Sequence, residues 1–166
     1  MLIIPANTLA EAGGNDNGIF FGGSGGYVGM TNIVNSSGVV QSDVSAVGTA
    51  RTNAGGCEYG DDLGCFFGGT DGSNVDIKNL VSSSGVVASD ATGVGSARQV
   101  FNGGASFGGD KGIFGYGLTS GVTAITNLLS NVGVLASDVA GVGTARLALG
   151  ACEYSGDKDK CIFAYG

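Results

Sequence analysis

The sequence predicts an all-β chain made of four-stranded antiparallel units repeated end to end. Three observations carry that prediction. The segments Asn17 to Tyr59, Leu63 to Phe107 and Lys111 to Tyr154 superimpose on one another, with Arg51 lying 47 residues before Arg98 and Arg98 lying 48 before Arg146. Within each segment, runs of about five to eight residues rich in Val, Ile, Phe and Thr are bounded by Gly, Ser, Asn and Asp clusters, the composition of short strands and tight turns. No stretch holds apolar residues at helical spacing free of Gly over roughly three turns, so helices are not expected.

The elements follow in order. An aromatic strand closes in glycine in each unit, as Gly18-Ile-Phe-Phe-Gly-Gly23, Gly64-Cys-Phe-Phe-Gly-Gly69 and Gly112-Ile-Phe-Gly-Tyr-Gly117. An Asn-aliphatic strand comes next, as Thr31-Asn-Ile-Val34, Lys78-Asn-Leu-Val81 and Thr126-Asn-Leu-Leu129. A Ser/Asn-Gly turn leads into Gly38-Val-Val-Gln-Ser-Asp43, Gly85-Val-Val-Ala-Ser-Asp90 and Gly133-Val-Leu-Ala-Ser-Asp138. The unit closes on Val47-Gly-Thr-Ala-Arg51, Val94-Gly-Ser-Ala-Arg98 and Val142-Gly-Thr-Ala-Arg146, and a small-residue strand follows each Arg. Four strands in a period of roughly 40–50 residues match a propeller blade, whereas β-helix coils repeat at roughly 20–30. The 34 glycines among 166 residues then have a use, at strand ends and turns where backbones crowd or take φ > 0.

The order Ala-Arg, small-residue strand, Gly/Asp turn, apolar strand, Gly-Gly, as in Ala50-Arg51 through Gly68-Gly69, resembles the kelch motif. It is more closely similar to the glycine-rich kelch-like repeats of tailed-phage and environmental viral structural proteins, over nearly the whole chain from about Pro5 to Gly166. The resemblance implies a β-propeller with the strand after Arg innermost. In that register strand a follows Arg, b is aromatic, c is Asn-aliphatic and d is the Val-Val-x-Ser-Asp run. Pro5 stands in the place of Arg51, since Pro5 to Gly18 and Arg51 to Gly64 are both 13 residues. One repeat domain spanning 1–166 then divides into blades 5–50, 51–97 and 98–145 and a half blade 146–166, about three and a half blades. Kelch blades usually carry a Trp, and often a His after the Arg. This chain has neither, so adaptor or actin binding is not implied, and the His-ligated copper chemistry of the galactose-oxidase members is excluded.

A propeller closes with about four to eight blades, so the spare half blade predicts a partner for its edge, either more chain or further copies in a homo-oligomer. Seven Lys+Arg against fourteen Asp+Glu give a net charge of −7, which disfavours nucleic acid and anionic membranes as partners. No apolar run reaches the roughly 18 residues of a membrane span, and Met1-Leu-Ile-Ile-Pro5 is not a signal peptide. Without His, the imidazole general base and the Ser/His/Asp and Cys/His systems are unavailable, so no catalytic residue and no cofactor are assigned.

Candidate residues follow from position. Cys57 with Cys65, and Cys152 with Cys161, each flank a Gly/Asp-rich turn at the spacing of a hairpin disulfide contributing about 2–3 kcal/mol; four buried free thiols are the other reading. Asp43, Asp90 and Asp138 each precede Arg51, Arg98 and Arg146 by eight residues, which predicts a carboxylate–guanidinium pair at every blade junction with a structural role. The a–b turns share a face with the c–d turns, and their Asp and Asn oxygens are a secondary candidate for Ca²⁺, although no EF-hand pattern is present. The b–c loops on the opposite face differ most among copies, and Tyr27, Asp71, Asn74 and Thr119 are their candidate ligand-contacting side chains. The functional expectation is a non-enzymatic structural or surface-display protein of a viral or other extracellular particle. The alternative is a propeller binding a glycan or protein through its b–c loops.

Overall fold

The computed structural model describes residues 17–45, 47–155 and 157–166. Among them the chain is all-β, with no helix and four antiparallel sheets. The first unit contributes β1 (Gly18–Gly23) and β2 (Val28–Val34), paired in a two-stranded sheet. The second forms a meander of β3 (Gly55–Tyr59), β4 (Leu63–Phe67), β5 (Ile77–Val81) and β6 (Ala91–Thr92). The third forms β7 (Gly104–Phe107), β8 (Lys111–Leu118) and β9 (Val122–Leu129) in the same order. Residues 146–166 hold the hairpin β10 (Gly150–Glu153) and β11 (Cys161–Ala164). Pro5 and the first strand expected for the unit 5–50 lie outside the described residues.

These segments become strands because alternate residues meet an apolar neighbour. Along β4, Cys65 and Phe67 are buried while Gly64 and Phe66 are half-buried, the period-two pattern of a strand with one face on the core. The core joins the second and third units through Tyr59, Cys65, Phe67, Val100, Phe114, Leu129 and Leu135. Unit stacks on unit through the a strands, since β3 packs against β7 and β7 against β10. Gly56 lies backbone to backbone against Gly104. The a–b turns lace the same stack together: Gly60 N donates to Asp110 O at 2.7 Å, Gly109 N donates to Lys158 O at 3.1 Å, and Lys158 pairs with Glu58. Asn131 of a c–d turn donates to Asp110 of an a–b turn at 2.7 Å, so these two turn sets share a face.

The d strand departs from the expectation. Gly38–Asp43, Gly85–Asp90 and Gly133–Asp138 touch the sheet at isolated bridges, Val34 with Val40, Val81 with Val87 and Leu129 with Leu135, and the chain pairs with strand c again just beyond each, at Val44 with Thr31, at β6 with β5 and at Val139 with Thr126. The reason is the strand-c asparagine. Asn32, Asn79 and Asn127 each push a side-chain amide between the strands, donating to the carbonyls of Gln41, Ala88 and Ala136 at 3.2, 3.0 and 3.0 Å. The amide bridges the gap between those points of pairing and leaves the d segment a strap pinned to strand c at both ends, its second end forming β6 in the second unit. The turn into that strap is set by Gly38, Gly85 and Gly133, at φ 77°, 78° and 77°, a left-handed position that a Cβ disfavours.

The cysteines are also corrected. Cys57, Cys65, Cys152 and Cys161 are free thiols. Cys152 stands opposite Ile162 and Cys161 opposite Glu153, so the register is one residue off and the two thiols leave opposite faces of the hairpin. Cys57 does stand opposite Cys65, but its sulfur is turned onto the next unit, against Gly112. Burial pushes the Cys65 thiol up to about 12 and, with Cys65 beside it, holds the Cys57 thiol well above its ordinary range, so both are protonated and unreactive at neutral pH. Thiol alkylation of the native chain is therefore expected to label exposed Cys152 first, with Cys57 and Cys65 reacting only on unfolding. Mass spectrometry of the labelled peptides checks this, and early labelling of Cys65 contradicts it.

Candidate functional site

The strand-c Asn, the Asp that follows it and the Arg that opens the unit meet at one place in each complete unit. Arg51 enters the second sheet from its end and is fully buried. Its Nε donates to Gly68 O at 2.8 Å, one terminal nitrogen donates to Asn79 Oδ1 at 2.6 Å, and the other lies 4.0 Å from Asp90 Oδ1. Asn79 passes the contact on, its Nδ2 donating to Asp90 Oδ1 at 2.8 Å. Asp90 Oδ2 then accepts from the backbone N–H and hydroxyl of Thr49 at 2.9 and 2.7 Å, two residues before the arginine. Gly48 makes room for that clasp, because a Cβ there would overlap the Asp90 carboxylate.

The third unit repeats the arrangement. Arg98, also fully buried, donates from Nε to Tyr116 O at 3.0 Å and from Nη1 to Asn127 Oδ1 at 2.6 Å, with Asp138 at 3.9 Å. Asn127 donates to Asp138 at 2.9 Å, and Asp138 accepts the Ser96 hydroxyl at 2.6 Å. Each guanidinium also lies over an aromatic ring of the preceding unit, Arg51 over Phe21 at 4.7 Å and Arg98 over Phe67 at 5.3 Å. Arg146 lies over Tyr116 at 4.4 Å in the same way.

The eight-residue spacing therefore misassigned the pairs. Arg51 joins Asp90 and Arg98 joins Asp138, the aspartate at the far end of the arginine's own unit, while Asp43 takes Asn32 Nδ2 at 2.7 Å. The cause is direction: each Arg side chain runs forward into the sheet it opens, its flat face looks back, and in Arg51 one edge nitrogen also donates back to Thr49 O at 3.3 Å. The junction between units is made by that face on the ring, by the Thr49 and Ser96 clasps and by shared apolar packing. The residues missed as site members are Asn79 and Asn127, whose signal was an Asn eleven residues before an Asp, the spacing also of Asn32 and Asp43.

Electrostatics follow burial. Desolvation lowers the Arg51 guanidinium and brings Arg98 down to about 10, still charged at neutral pH. Partial burial raises the carboxyls of Asp90 and Asp138, but hydrogen bonds from Asn79 and Thr49, or from Ser96 and Asn127, and the nearby arginine outweigh it and leave both below the ordinary range. A depressed folded pKa means stability that is fully present above the unfolded carboxylate value of about 3.9 and is lost as pH falls through the folded value. The urea midpoint is expected to hold from neutral pH to about pH 5 and to drop below about pH 4, with a smaller drop in Asp90→Asn.

Of the loop candidates the structure brings Asn74 and Thr119 into contact and leaves Tyr27 apart in another unit. Asn74 is engaged structurally, donating to Leu118 O and Thr119 O at 3.1 and 3.0 Å and accepting from Gln99 at 3.0 Å. Asp71 accepts from Ser73 N within its own turn, Thr119 bonds Gly121 O, and Tyr27 is exposed at φ 54° in another unit. A cavity of about 1150 Å³ is lined instead by residues including Phe20, Cys57, Glu58, Gly104, Ala151 and Lys158. Among the described residues no three His, Cys, Asp or Glu side chains are grouped to hold a metal ion, and the turns considered for Ca²⁺ are bonded to one another. No protein-family model matches the chain, and none of the curated proteins compared with it is similar in sequence.

Proposed function

We propose that this chain is a non-enzymatic structural protein whose units are kelch-like propeller blades, contributing to a larger ring or filament on a viral or other extracellular particle. One observation carries the reading: the repeated polar residues are used in joining structure to structure. Arg51, Asn79 and Asp90, and again Arg98, Asn127 and Asp138, are engaged with one another, and each arginine rests on a ring of the preceding unit. The packing of β3 against β7 and of β7 against β10 supports blades arranged about an axis. Further blades, from more chain or from other copies, complete the assembly. Light scattering and negative-stain electron microscopy of the purified protein test this: rings or filaments are expected, and a strictly monomeric 16.2 kDa particle overturns it.

A further inference from the structure

The d straps carry apolar side chains that the core does not use. In the second and third straps Val87 and Leu135 turn in onto Val81 and Leu129, at 6% and 3% exposure, while the residue before each turns out. That outward residue is valine in all three units, Val39, Val86 and Val134, each more than half exposed. A second valine recurs where the chain leaves the strap, as Val47, Val94 and Val142, each at least half exposed. The straps lie side by side. Thr49, two residues after Val47, is bonded to Asp90 at the end of the second strap, and Ser96, two after Val94, to Asp138 at the end of the third. The turn into the strap rests on strand c of the unit before, Gly85 against Ile33 and Gly133 against Leu80. The outward valines therefore share one face that runs across the three units.

That face is poor in charge. The runs 35–50, 82–97 and 130–145 hold one charged residue each, Asp43, Asp90 and Asp138, and each carboxylate is bonded to its strand-c asparagine. Lys78 of strand c gives its ammonium to Gly133 O at 2.7 Å, and Asp76 meets the strap at Gly93 through its backbone carbonyl. Carboxylates gather instead on the a–b turns, at Asp61, Asp62, Asp110, Asp157 and Asp159. Two copies of a chain with net charge −7 repel each other, and the strap face is a side on which they meet with those turns held apart and valine against valine. A cover for this face has to repeat with the unit, Arg51 to Arg98 being 47 residues and Arg98 to Arg146 being 48. A second row of straps does so, and a single appended segment does not. Units added at either end would lengthen the face without covering it. We infer that the d straps are an interface between two copies of this chain, packed outer face to outer face about a two-fold axis so that each row of valines meets its own counterpart. In the second unit the strap edge is the one opposite the a strand, so the contact goes beyond the ring or filament proposed above and needs neither.

The double variant Val86→Lys, Val134→Lys tests this, because added cations lower the repulsion between acidic chains and so work against any loss of association caused by charge alone. Light scattering of the full chain over a concentration series is expected to give the variant at most half the mass of the unaltered protein at the same concentration. Amide exchange over residues 86–90 and 134–138 should slow as the unaltered protein is concentrated, and should not slow in the variant. Equal masses for the two proteins overturn the inference, whether the straps are bare or covered by the chain itself. Slowing confined to other segments also overturns it, by placing the contact between copies elsewhere. If circular dichroism shows that the lysine variant does not fold, Val86→Ser with Val134→Ser decides by the same criterion of mass. Rings or filaments of unchanged mass in the variant remove this contact and leave the assembly of blades standing. Dimers that fall to monomers in the variant, with no ring or filament formed by either protein, do the reverse, and an unaltered protein that is monomeric at every concentration removes both.

Discussion

Arg98→Met is expected to lose about 3 kcal/mol of unfolding free energy, measured by urea denaturation at neutral pH. The substitution keeps an unbranched apolar stem, so the loss comes from what the guanidinium leaves behind. Asn127 Oδ1 and the carbonyls of Tyr116 and Phe114 lose a donor in a site where Arg98 itself is fully buried, and Asp138 loses its cation. Removing one member of a buried charged group costs about 3–5 kcal/mol; the lower end applies because Asp138 keeps 29% side-chain exposure. Arg98→Lys should recover little of the loss, since one ammonium cannot serve three acceptors spread over two strands and lie flat on Phe67. Arg146→Met is the internal comparison, because that arginine lacks the Asn and Asp partners, and its cost should be under about 1 kcal/mol. Equal losses at Arg98 and Arg146 would mean that ring stacking, not the Asn–Asp relay, carries the energy.

What the sequence shows and what it hides divide on physical lines. The period, and the a, b and c strands, are legible because apolar alternation and turn glycines act locally, over a few residues each. The d strand is legible only in part: it pairs with strand c at its two ends, as β6 in the second unit, while its middle is bridged by side chains of another strand, Asn32, Asn79 and Asn127. The Asp–Arg pairs were legible as residue types and wrong as partners: linear spacing does not say whether Arg51 leans back on the unit behind or forward into its own. What goes back is its aromatic contact with Phe21 and a bond from Nη1 to Thr49 O at 3.3 Å. Cys152 and Cys161 fail by a single residue of register, since they are one position from being opposed and one position is the difference between the two faces of a hairpin, whereas Cys57 and Cys65 are opposed and are parted by the turn of the Cys57 sulfur onto Gly112.

Asn127→Leu is expected to cost about as much as Arg98→Met, although it removes no charge. Asn127 is fully buried and works in both directions, accepting from Arg98 and donating to Asp138, Ala136 O and Val94 O. Leucine fills nearly the same volume, so the loss is not a cavity; it is a guanidinium, a carboxylate and two carbonyls each short of a partner, at about 1–3 kcal/mol for an unmet buried group. The Arg98→Met, Asn127→Leu double variant then decides whether the two act as one device. Once Arg98 is gone, the Asn oxygen is already idle, so the second substitution has less to destroy. The double loss should fall short of the sum of the single losses by at least about 1 kcal/mol. Additive losses would show that arginine and asparagine stabilise separate parts of the unit. Asp138→Asn in each background extends the cycle: it should matter where Asn127 is present to hand on the contact, and little where leucine has already cut it, because the direct Arg98–Asp138 distance of 3.9 Å leaves the amide as the main link between them.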